Sequence, residues 1–326
     1  MQILEKEVPN GVKPWLVTGG CGYIGAHLLK ELSCKGISAE FLDIEYRSEK
    51  HRLFPELKFH LCDIRDKSSL RELFHHQAYE GVIHLAALKS VSESQENKQE
   101  YFETNVVGTR NILELIREYR VPKMIFSSTA AVYRADSDNQ NVSETSPLGA
   151  TSYYGETKVI AEKLIIEAMK ENKPQAVIFR YFNVAGADNK SLADHSTVNL
   201  IPSVLNKLHA KQSPEIFGND YDTADGTAVR DYIDVRDVVS AHICGMEYMK
   251  SEFESQILNI GTGEGVSVKE VIGVAQEVFK SKLSPIYLSR RAGDIGAVVA
   301  DCSKAKRIIG FKSQFTLRDM IESSIP

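Results

Sequence analysis

The chain lacks several features that would assign it at once to a common class of protein. Its five cysteines, in 326 residues, are scattered without CxxC spacing, so we interpret them as reduced cytosolic thiols and predict no metal site. No basic run stands out and the formal net charge is −5, which gives no reason to expect nucleic acid or an anionic membrane as a partner. No apolar stretch is long enough to span a bilayer, and residues 1–7 are too charged for a signal peptide. We therefore expect a cytoplasmic protein.

What the chain does contain is enough apolar residues for a large core. Its hydrophobic content is 43%, and no internal repeat or low-complexity tract interrupts it. A chain of this length forms one large domain or two interleaved ones.

A glycine-rich loop near the N-terminus has the pattern of a nucleotide site. Gly20, Gly22 and Gly25 fit G-x-G-x-x-G directly after a predicted strand, 15–18, and before a predicted helix, 23–35. In that context backbone amides at a helix N-terminus can approach a pyrophosphate. The loop therefore predicts a dinucleotide cofactor.

Asp43 favours NAD over NADP. It ends the next predicted strand, where a carboxylate can bind both ribose hydroxyls and repel a 2′-phosphate. Two alternatives stay open: Arg47 is near enough in sequence to tolerate a 2′-phosphate, and Asp43 can simply cap its strand.

Tyr154 and Lys158 form the second informative pair. Four residues apart on a predicted helix, they lie on one face, so the ammonium can lower the pKa of the phenol and prepare it to take a hydroxyl proton. Alone, this spacing is weak evidence, because it arises often by chance on amphipathic helices and then marks an ordinary exposed pair. Together with the glycine loop it predicts redox chemistry on an alcohol.

Short apolar runs alternate with helical patterns through the first half of the chain. The predicted strands are 15–18, 39–43, 58–61, 81–86, 123–128 and 176–181, and the helices between them are 23–35, 67–77, 96–120 and 153–171. This alternation predicts an α/β fold, a doubly wound, Rossmann-like parallel sheet.

After Asn183 the sequence becomes rich in loops, with one predicted helix at 199–211. We expect a smaller, substrate-binding C-terminal domain there. Residues 231–235 and 257–261 are predicted strands that return to the first domain, so the two domains interleave. The expected division is 1–182 plus about 228–262 for NAD binding, and about 183–227 plus 263–326 for the substrate.

Further segments carry a resemblance to a known family over almost the whole chain. They are Cys62-Asp63-Ile64-Arg65-Asp66, Val82-Ile83-His84-Leu85-Ala86-Ala87-Leu88-Lys89-Ser90-Val91, Ser127-Ser128-Thr129-Ala130-Ala131-Val132-Tyr133, Arg180-Tyr181-Phe182-Asn183, Asn199-Leu200-Ile201-Pro202, Ile216-Phe217-Gly218-Asn219-Asp220-Tyr221, Val229-Arg230-Asp231-Tyr232 and Arg290-Arg291-Ala292-Gly293-Asp294. With these segments the chain resembles the extended short-chain dehydrogenase/reductase superfamily, and more closely the UDP-glucose (UDP-galactose) 4-epimerases.

The resemblance implies a role for each matching residue. It implies a catalytic group of Tyr154, Lys158 and Thr129. It implies tightly bound NAD on Gly19, Gly22, Tyr23, Ile24, Gly25, Asp43, Asp63, Ile64, Leu85, Ala86, Ala87, Lys89, Asn105, Ser127, Tyr154, Lys158, Tyr181 and Phe182. It implies a UDP-sugar on Lys89, Thr129, Tyr154, Asn183, Asn199, Leu200, Phe217, Arg230, Tyr232, Arg291, Asp294 and Val298.

The reaction that the resemblance implies is inversion of C4 of a UDP-hexose. Tyr154 takes the proton of the 4-hydroxyl as a hydride leaves C4 for NAD, the 4-keto sugar turns over, and the hydride returns to its other face. Arg230 and Arg291 would provide two guanidinium groups, which suit a diphosphate. Without the resemblance, the two arginines would be interpreted as members of surface ion pairs.

Particular residues distinguish the rival functions. A sugar 4,6-dehydratase needs an Asp-Glu pair where Ala130 and Ala131 stand, which argues against elimination. A UDP-glucuronate 4-epimerase, or another nucleotide-sugar-modifying member of the superfamily, stays open. A non-catalytic NAD-binding scaffold or sensor is disfavoured because Thr129, Tyr154 and Lys158 are all present.

Three more expectations follow from the resemblance. Val298 stands where a large residue often excludes N-acetylated sugars, so we expect UDP-GlcNAc and UDP-GalNAc to be interconverted too, unless Val298 only packs the core. Arg134 and Gly296 depart from the usual glycine and proline. A homodimer is expected through the helices at 96–120 and 153–171, whose apolar residues include Phe102, Val106, Leu113, Ile160, Leu164 and Ile165; a wholly intramolecular core is the alternative.

Overall fold

The structure is a computed structural model that describes residues 12–44, 53–134, 141–170, 174–194, 196, 198–251, 254–291 and 294–325. Its strands are β1 (Trp15–Thr18), β2 (Ala39–Asp43), β3 (Lys58–Leu61), β4 (Gly81–His84), β5 (Lys123–Thr129), β6 (Asn141–Val142), β7 (Gln175–Tyr181), β8 (Asn183–Ala185), β9 (Glu215–Phe217), β10 (Val229–Asp234), β11 (Gln256–Ile260), β12 (Gly265–Ser267), β13 (Ile286–Leu288) and β14 (Ala297–Ala300). Its α-helices are α1 (Tyr23–Cys34), α2 (Lys67–His76), α3 (Val91–Glu96), α4 (Lys98–Phe102), α5 (Gly108–Glu118), α6 (Tyr153–Lys170), α7 (Leu200–His209), α8 (Val235–Tyr248), α9 (Val268–Phe279), α10 (Ser303–Ile309) and α11 (Leu317–Ser323).

A parallel sheet of seven strands, in the order β11-β7-β5-β4-β1-β2-β3, carries the first half of the fold. Consecutive side chains of a strand point to opposite faces, so Leu16 packs against the helices α2, α5 and α6, whereas Val17 packs against α1 and α8. Helices thus cover both faces, which confirms the predicted doubly wound α/β fold. The order in which strands are added to the sheet reverses at β1, with β2 and β3 on one side and β4 on the other. The carboxyl ends of β1 and β4 therefore border the crevice where such folds bind ligands.

A second sheet, in the order β12-β10-β14-β6 with β8 paired to β10, lies in the C-terminal half. The strand predicted at 231–235 is β10, Val229–Asp234, and it pairs in this second sheet rather than in the first. Its buried Asp231 carboxylate accepts hydrogen bonds from the backbone amides of Thr262, Gly263 and Ala300, which tie β10 to the neighbouring segments. The strand predicted at 257–261 does join the first sheet, as β11 beside β7.

Two other predicted elements differ from the structure. The strand at 81–86 stops at His84, because the amides of Leu85 and Ala86 turn to the backbone and hydroxyl oxygens of Thr18. The helix at 96–120 is interrupted: α4 is followed by a π-helical turn, Glu103–Val107, before α5 begins. Such turns often accompany functional sites.

Some sequence-based expectations fall on residues outside the described ranges. These are Arg47, the N-terminal residues 1–7, and residues 135–140 of the loop after Arg134. Ala292 and Gly293 of the arginine-containing segment are also outside them. Among the helices of the described ranges, none is both long and apolar enough to cross a bilayer.

Candidate active site

The glycine loop and its helix form a cradle at the carboxyl end of β1. Gly19 has φ +73°, and a Cβ there would lie 2.7 Å from the amide nitrogen of Ala86. A Cβ on Gly25 would lie 2.2 Å from the carbonyl oxygen of Gly19. Gly22 caps the N-terminus of α1 without a side-chain hydrogen bond, so amides of the first turn face the loop. This geometry leaves backbone room and unpaired donors for an anionic group.

Asp43 closes the cradle from the end of β2. Its carboxylate accepts from the amide of Cys21 at 3.0 Å and from the amide of Ile44 at 2.8 Å. The side chain is therefore fixed beside the glycine loop, where the ribose of a bound dinucleotide lies in this class of fold.

Asp63 and Ile64 follow β3 at the next strand end. Burial alone would raise the pKa of Asp63, but the guanidinium of Arg65, bonded to both carboxylate oxygens, brings the pKa below its ordinary value. Ile64 is buried against Gly108, where a Cβ would lie 2.5 Å from the isoleucine Cδ1. These two residues form an ordered, partly apolar edge at the carboxyl end of β3.

Asn105 organises the segment that follows β4. It lies in the π-helical turn and is buried. Its side-chain oxygen accepts from the backbone amide of Leu88 at 2.8 Å, and its side-chain nitrogen donates to the backbone carbonyl of Leu88 at 3.0 Å. It also donates to the Thr157 hydroxyl at 3.0 Å, which links this segment to α6. The segment 85–88 is thereby held beside the glycine loop, and the Lys89 ammonium lies 5.7 Å from the centroid of the Tyr23 ring.

The predicted catalytic residues meet where α6 begins and β5 ends. Lys158 is 3% exposed and donates to the carbonyl of Ser127 at 2.8 Å, with the Phe126 ring centroid 4.8 Å from its nitrogen. The amide of Tyr154 donates to the buried Ser94 hydroxyl at 3.0 Å. The Thr129 side chain is within hydrogen-bonding reach of the phenol, and that bond lowers the pKa of Tyr154.

Burial dominates the ionisation of this group. Burial raises the pKa of Tyr154 to about 12, although the hydrogen bond with Thr129 opposes this shift. Burial lowers the pKa of Lys158 to about 7, although the negative charge of Glu162 opposes that shift. Without the cofactor, burial outweighs the opposing influences and the net shift of the phenol pKa is upward. Both groups are desolvated. The Glu162 carboxylate, on the same helix, favours the charged form of Lys158.

Tyr181 and Phe182 lie behind the catalytic group. The Tyr181 hydroxyl is 2.9 Å from Nε2 of His242, and Phe182 is buried in a cluster with Val132 and Tyr133. Both side chains are buried.

The predicted UDP residues are brought together mainly by the second sheet. Tyr232 pairs in register with Asn183, and Arg230 pairs with Val298. Arg230 also forms an ion pair with Asp294. These residues therefore lie on three adjacent strands and the loop that precedes β14.

The remaining predicted UDP residues surround this sheet. The Arg291 guanidinium stacks 4.0 Å above the centroid of the Phe217 ring. Asn199 donates to the Asp194 carboxylate at 2.6 Å, just before Leu200 begins α7. No group of three or more His, Cys, Asp or Glu side chains in the described ranges is placed to hold a metal ion.

Three groups at the site were missed by sequence reasoning. His84 is buried between the hydroxyls of Thr18, at 2.7 Å, and Thr109, at 3.0 Å. The second is Glu162, paired with Arg180; its position four residues after Lys158 was a usable signal. The third is Tyr221, whose hydroxyl is buried; it ends a segment that carries the resemblance but was given no role.

The fold and these groups define a nucleotide-dependent enzyme acting on an alcohol carbon. The profile of the NAD dependent epimerase/dehydratase family matches residues 15–261, and the chain belongs to this family. The chain is 38% identical over 312 residues to a UDP-glucose 4-epimerase of Halalkalibacterium halodurans, covering 94% of this chain and 93% of that protein.

Solved structures agree with this assignment. The UDP-glucose 4-epimerase of Stenotrophomonas maltophila, with bound NAD and formylated UDP-arabinopyranose, superimposes with a TM-score of 0.90 at 35% identity, covering 96% of this chain and 97% of that one. The UDP-Glc/GlcNAc 4-epimerase of Campylobacter jejuni superimposes with a TM-score of 0.85 at 34% identity, covering 96% and 98%.

Proposed function

We propose that this chain is a NAD-dependent isomerase that inverts C4 of a UDP-hexose, interconverting UDP-galactose and UDP-glucose. The observation that carries the proposal is the meeting of Tyr154, Thr129 and buried Lys158 at the sheet edge that also holds the glycine cradle. Thr129 is followed by Ala130 and Ala131, so no acid–base pair for elimination stands beside it. UDP-glucose 4-epimerases align over nearly the whole chain.

The residues fit NAD. The cradle around Gly19 and Gly25 has no space for side chains, α1 presents amides to a pyrophosphate, and Asp43 is fixed to accept ribose hydroxyls. When bound, NAD supplies reversible two-electron oxidation. Lys158, held by the carbonyl of Ser127, would bind the nicotinamide ribose, and Lys89 and Asn105 would order the adjoining segment.

Tyr154 is the proposed acid and base. Its phenolate would take the proton of the sugar 4-hydroxyl as C4 is oxidised, and the phenol so formed would return that proton after the 4-keto sugar has turned over. Thr129 is placed to hold the same oxygen. With a pKa of about 12 the Tyr154 phenol is almost wholly protonated at pH 7, so the reaction requires cationic charge near Tyr154 in the complex to favour the phenolate.

UDP is proposed to bind on the second sheet and its surroundings. Arg230 and Arg291 suit the diphosphate, with Asn183, Asn199, Leu200, Phe217, Tyr232 and Asp294 around the nucleotide. We assign a NAD-binding unit to 1–182 plus about 235–262 and a substrate unit to the rest, because β10 pairs within the second sheet.

N-acetylated substrates are part of the proposal. Val298 pairs with Arg230 in the second sheet and is only partly buried, against a cluster that includes Val132 and Phe182. A small side chain there leaves space for a larger group at C2 of the sugar. The similarity to a UDP-Glc/GlcNAc 4-epimerase supports the same substrate range.

A homodimer in the cytoplasm is also proposed. Val91, Phe102 and Ile160 are 52%, 36% and 37% exposed on α3, α4 and α6, whereas Val106, Leu113 and Ile165 are buried within the chain. An exposed apolar face on adjacent helices suits a second copy. All five cysteines are described and all are free thiols, which suits a reducing compartment.

The experiment for the proposed function is a substrate panel. Purified protein without added NAD is incubated separately with UDP-galactose, UDP-N-acetylgalactosamine and UDP-galacturonate, and each gluco epimer is quantified. Conversion of the first two supports the proposal. Conversion of UDP-galacturonate alone favours the glucuronate 4-epimerase, and conversion of none, even with NAD supplied, favours a non-catalytic NAD-binding protein.

A further inference from the structure

Ser94 is a fully buried serine that links two helices of the site. It lies on α3, the helix that follows the segment with Lys89, and its side chain has no solvent exposure. Its hydroxyl accepts from the backbone amide of Tyr154 at 3.0 Å, across the contact between α3 and α6. A side chain on one helix therefore binds the backbone of the proposed acid and base on another.

The Ser94 hydroxyl can serve the Tyr154 amide only as an acceptor. A serine hydroxyl has one proton, and Ser94 donates it to the carbonyl of Val91 at 2.6 Å, one turn earlier on α3. Its oxygen therefore presents lone pairs to Tyr154, which suits an N–H group. Both bonds have ordinary hydrogen-bond lengths, so Ser94 is held in one orientation.

The amide of Tyr154 is one of the donors that a helix leaves unpaired at its start. Tyr154 is the second residue of α6, and the first amides of a helix have no partner within it. Ser152 binds the next two amides: its hydroxyl accepts from Gly155 at 3.1 Å and its carbonyl accepts from Glu156 at 3.0 Å. The chain before α6 thus binds the amides that follow Tyr154, whereas the amide of Tyr154 is bound from α3, by Ser94.

The carbonyl of Tyr154 is fixed as well. The Thr157 hydroxyl donates to it at 2.7 Å, and the Asn105 side chain donates to that hydroxyl at 3.0 Å. The peptide groups on both sides of the Tyr154 Cα are therefore bound by buried hydroxyls. Helices fray at their ends, so a residue in the first turn holds its position only as firmly as such bonds allow.

We propose that Ser94 is a positioning residue for proton transfer: it fixes the first turn of α6 so that the Tyr154 phenol stays beside Thr129 and the sugar 4-hydroxyl. The inference rests on the proposed function and deepens it. Proton transfer needs the two heavy atoms at about 2.6–3.2 Å, and a displacement of about 1 Å at a reacting group can lower a rate roughly 10²-fold. Ser94 acts through the backbone of Tyr154, so its loss lowers kcat and leaves binding of the UDP-sugar largely intact.

The test is Ser94→Ala in the protein as purified with its cofactor. With UDP-galactose, kcat falls roughly ten- to hundredfold, whereas KM and the amount of retained NAD stay within about twofold of the wild type. Hydrogen exchange followed by mass spectrometry reports the bond itself, because the amide of Tyr154 exchanges faster in the variant. Ser94→Thr restores most of kcat, since a helical threonine can donate to the same carbonyl one turn earlier.

Ser255→Ala is the matched control. The Ser255 hydroxyl also accepts from a backbone amide at 3.0 Å, that of Ala176, but at the amino end of β7. The site lies at the opposite, carboxyl end of these strands. This variant loses a bond of the same kind and length, so its thermal midpoint falls while kcat stays within about twofold of the wild type.

A double-variant cycle identifies Tyr154 as the group through which Ser94 acts. In a Tyr154→Phe background no phenol is left to position, so adding Ser94→Ala changes the residual rate by less than about twofold. The inference is overturned if Ser94→Ala keeps the wild-type kcat or the wild-type exchange of the Tyr154 amide. It is also overturned if KM rises by a larger factor than kcat falls, or if the effect persists in Tyr154→Phe.

These outcomes are distinct from failure of the proposed function. An active wild type with an unimpaired Ser94→Ala variant overturns the inference alone. A wild type that converts no UDP-sugar, even with NAD supplied, overturns the proposed function and the inference together.

Discussion

Glu162 and Arg180 form a bidentate ion pair that is almost fully shielded from solvent, one helical turn beyond Lys158. Nε of Arg180 donates to Oε1 at 2.9 Å and Nη2 donates to Oε2 at 2.6 Å. The Ser128 hydroxyl donates to the same carboxylate, between Ser127, which holds Lys158, and Thr129. The pair therefore anchors the end of β5 to α6 at the catalytic group.

Breaking this pair on one side should be costly. Glu162→Gln leaves the Arg180 charge buried without its partner, so we expect a loss of about 3–5 kcal/mol in the free energy of unfolding, measured with urea. Glu162→Gln combined with Arg180→Met removes both charges and should recover part of that loss. The exposed pair Glu167–Lys170 is the control: Glu167→Gln should change stability by less than about 1 kcal/mol. Equal losses at both pairs would contradict the assignment.

Tyr154→Phe should lower the epimerisation rate by about 10²–10⁴-fold, because it removes the proposed acid and base. The circular dichroism spectrum and the amount of bound NAD should be unchanged. Tyr153→Phe is the neighbouring control; the Tyr153 ring lies 5.4 Å from the ammonium of Lys98, outside the catalytic group, so full activity is expected. Similar rates for the two variants would remove Tyr154 from the mechanism.

His242 should make the protein acid-sensitive. Its Nδ1 lies 2.9 Å from the Val238 carbonyl, which only accepts, so Nε2 accepts from Tyr181 and the ring is neutral. Burial lowers the pKa of His242 to about 4, below its ordinary value near 6.5. Between these values the unfolded chain binds a proton that the folded chain does not, so stability falls as pH falls, by up to about 1.4 kcal/mol per pH unit.

Urea unfolding at pH 7 and pH 5 checks this. His242→Gln should be less stable at pH 7, but its disadvantage relative to the wild type should shrink at pH 5. His76→Gln, at an exposed histidine, serves as the control and should run parallel to the wild type. A parallel curve for His242→Gln would show that His242 is not the group responsible.

Gly25→Ala should both destabilise the protein and release NAD. The added Cβ would lie 2.2 Å from the Gly19 carbonyl, so backbone must move, at a cost of about 1–3 kcal/mol. Gly273→Ala in α9 meets no atom within 4 Å and should stabilise by about 0.5–1 kcal/mol. The thermal midpoint and the amount of released NAD are measured for both variants. A Gly25→Ala variant with unchanged values would contradict the role of the glycine loop in binding NAD.

Val298→Tyr should lower conversion of UDP-N-acetylgalactosamine relative to UDP-galactose by at least roughly tenfold, because the larger side chain fills the space for the C2 group. Val298→Ala should keep the wild-type ratio. The ratio of the two initial rates is the readout, since it cancels any loss of folded protein. An unchanged ratio in Val298→Tyr would mean that Val298 only packs against its cluster.

Much of the first sheet was predictable because parallel strands buried on both faces are short apolar runs between helical patterns. β1, β2 and β3 have the predicted bounds. The sheet to which β10 belongs could not be predicted, because partner choice depends on long-range bonds: the carboxylate of Asp231 fixes that strand to segments 31 and 69 residues away. Local pattern contains no such information.

The candidate site shows the same division. The glycine loop and the Tyr154–Lys158 spacing are local and could be found by inspection. The π-helical turn that aims Asn105 at Leu88, and the burial of the Tyr221 hydroxyl, arise only from packing between distant segments. Spacing along a helix shows a neighbouring charge but not the desolvation, which raises the pKa of Tyr154 in the folded chain.

The most direct test of the central claim uses UDP-galactose that carries deuterium at C4, incubated with the purified protein without added NAD. If C4 is oxidised and reduced within one closed site, UDP-glucose forms and mass spectrometry finds the deuterium still at C4. Absence of UDP-glucose, or UDP-glucose whose C4 deuterium has been exchanged for solvent hydrogen, would contradict the account.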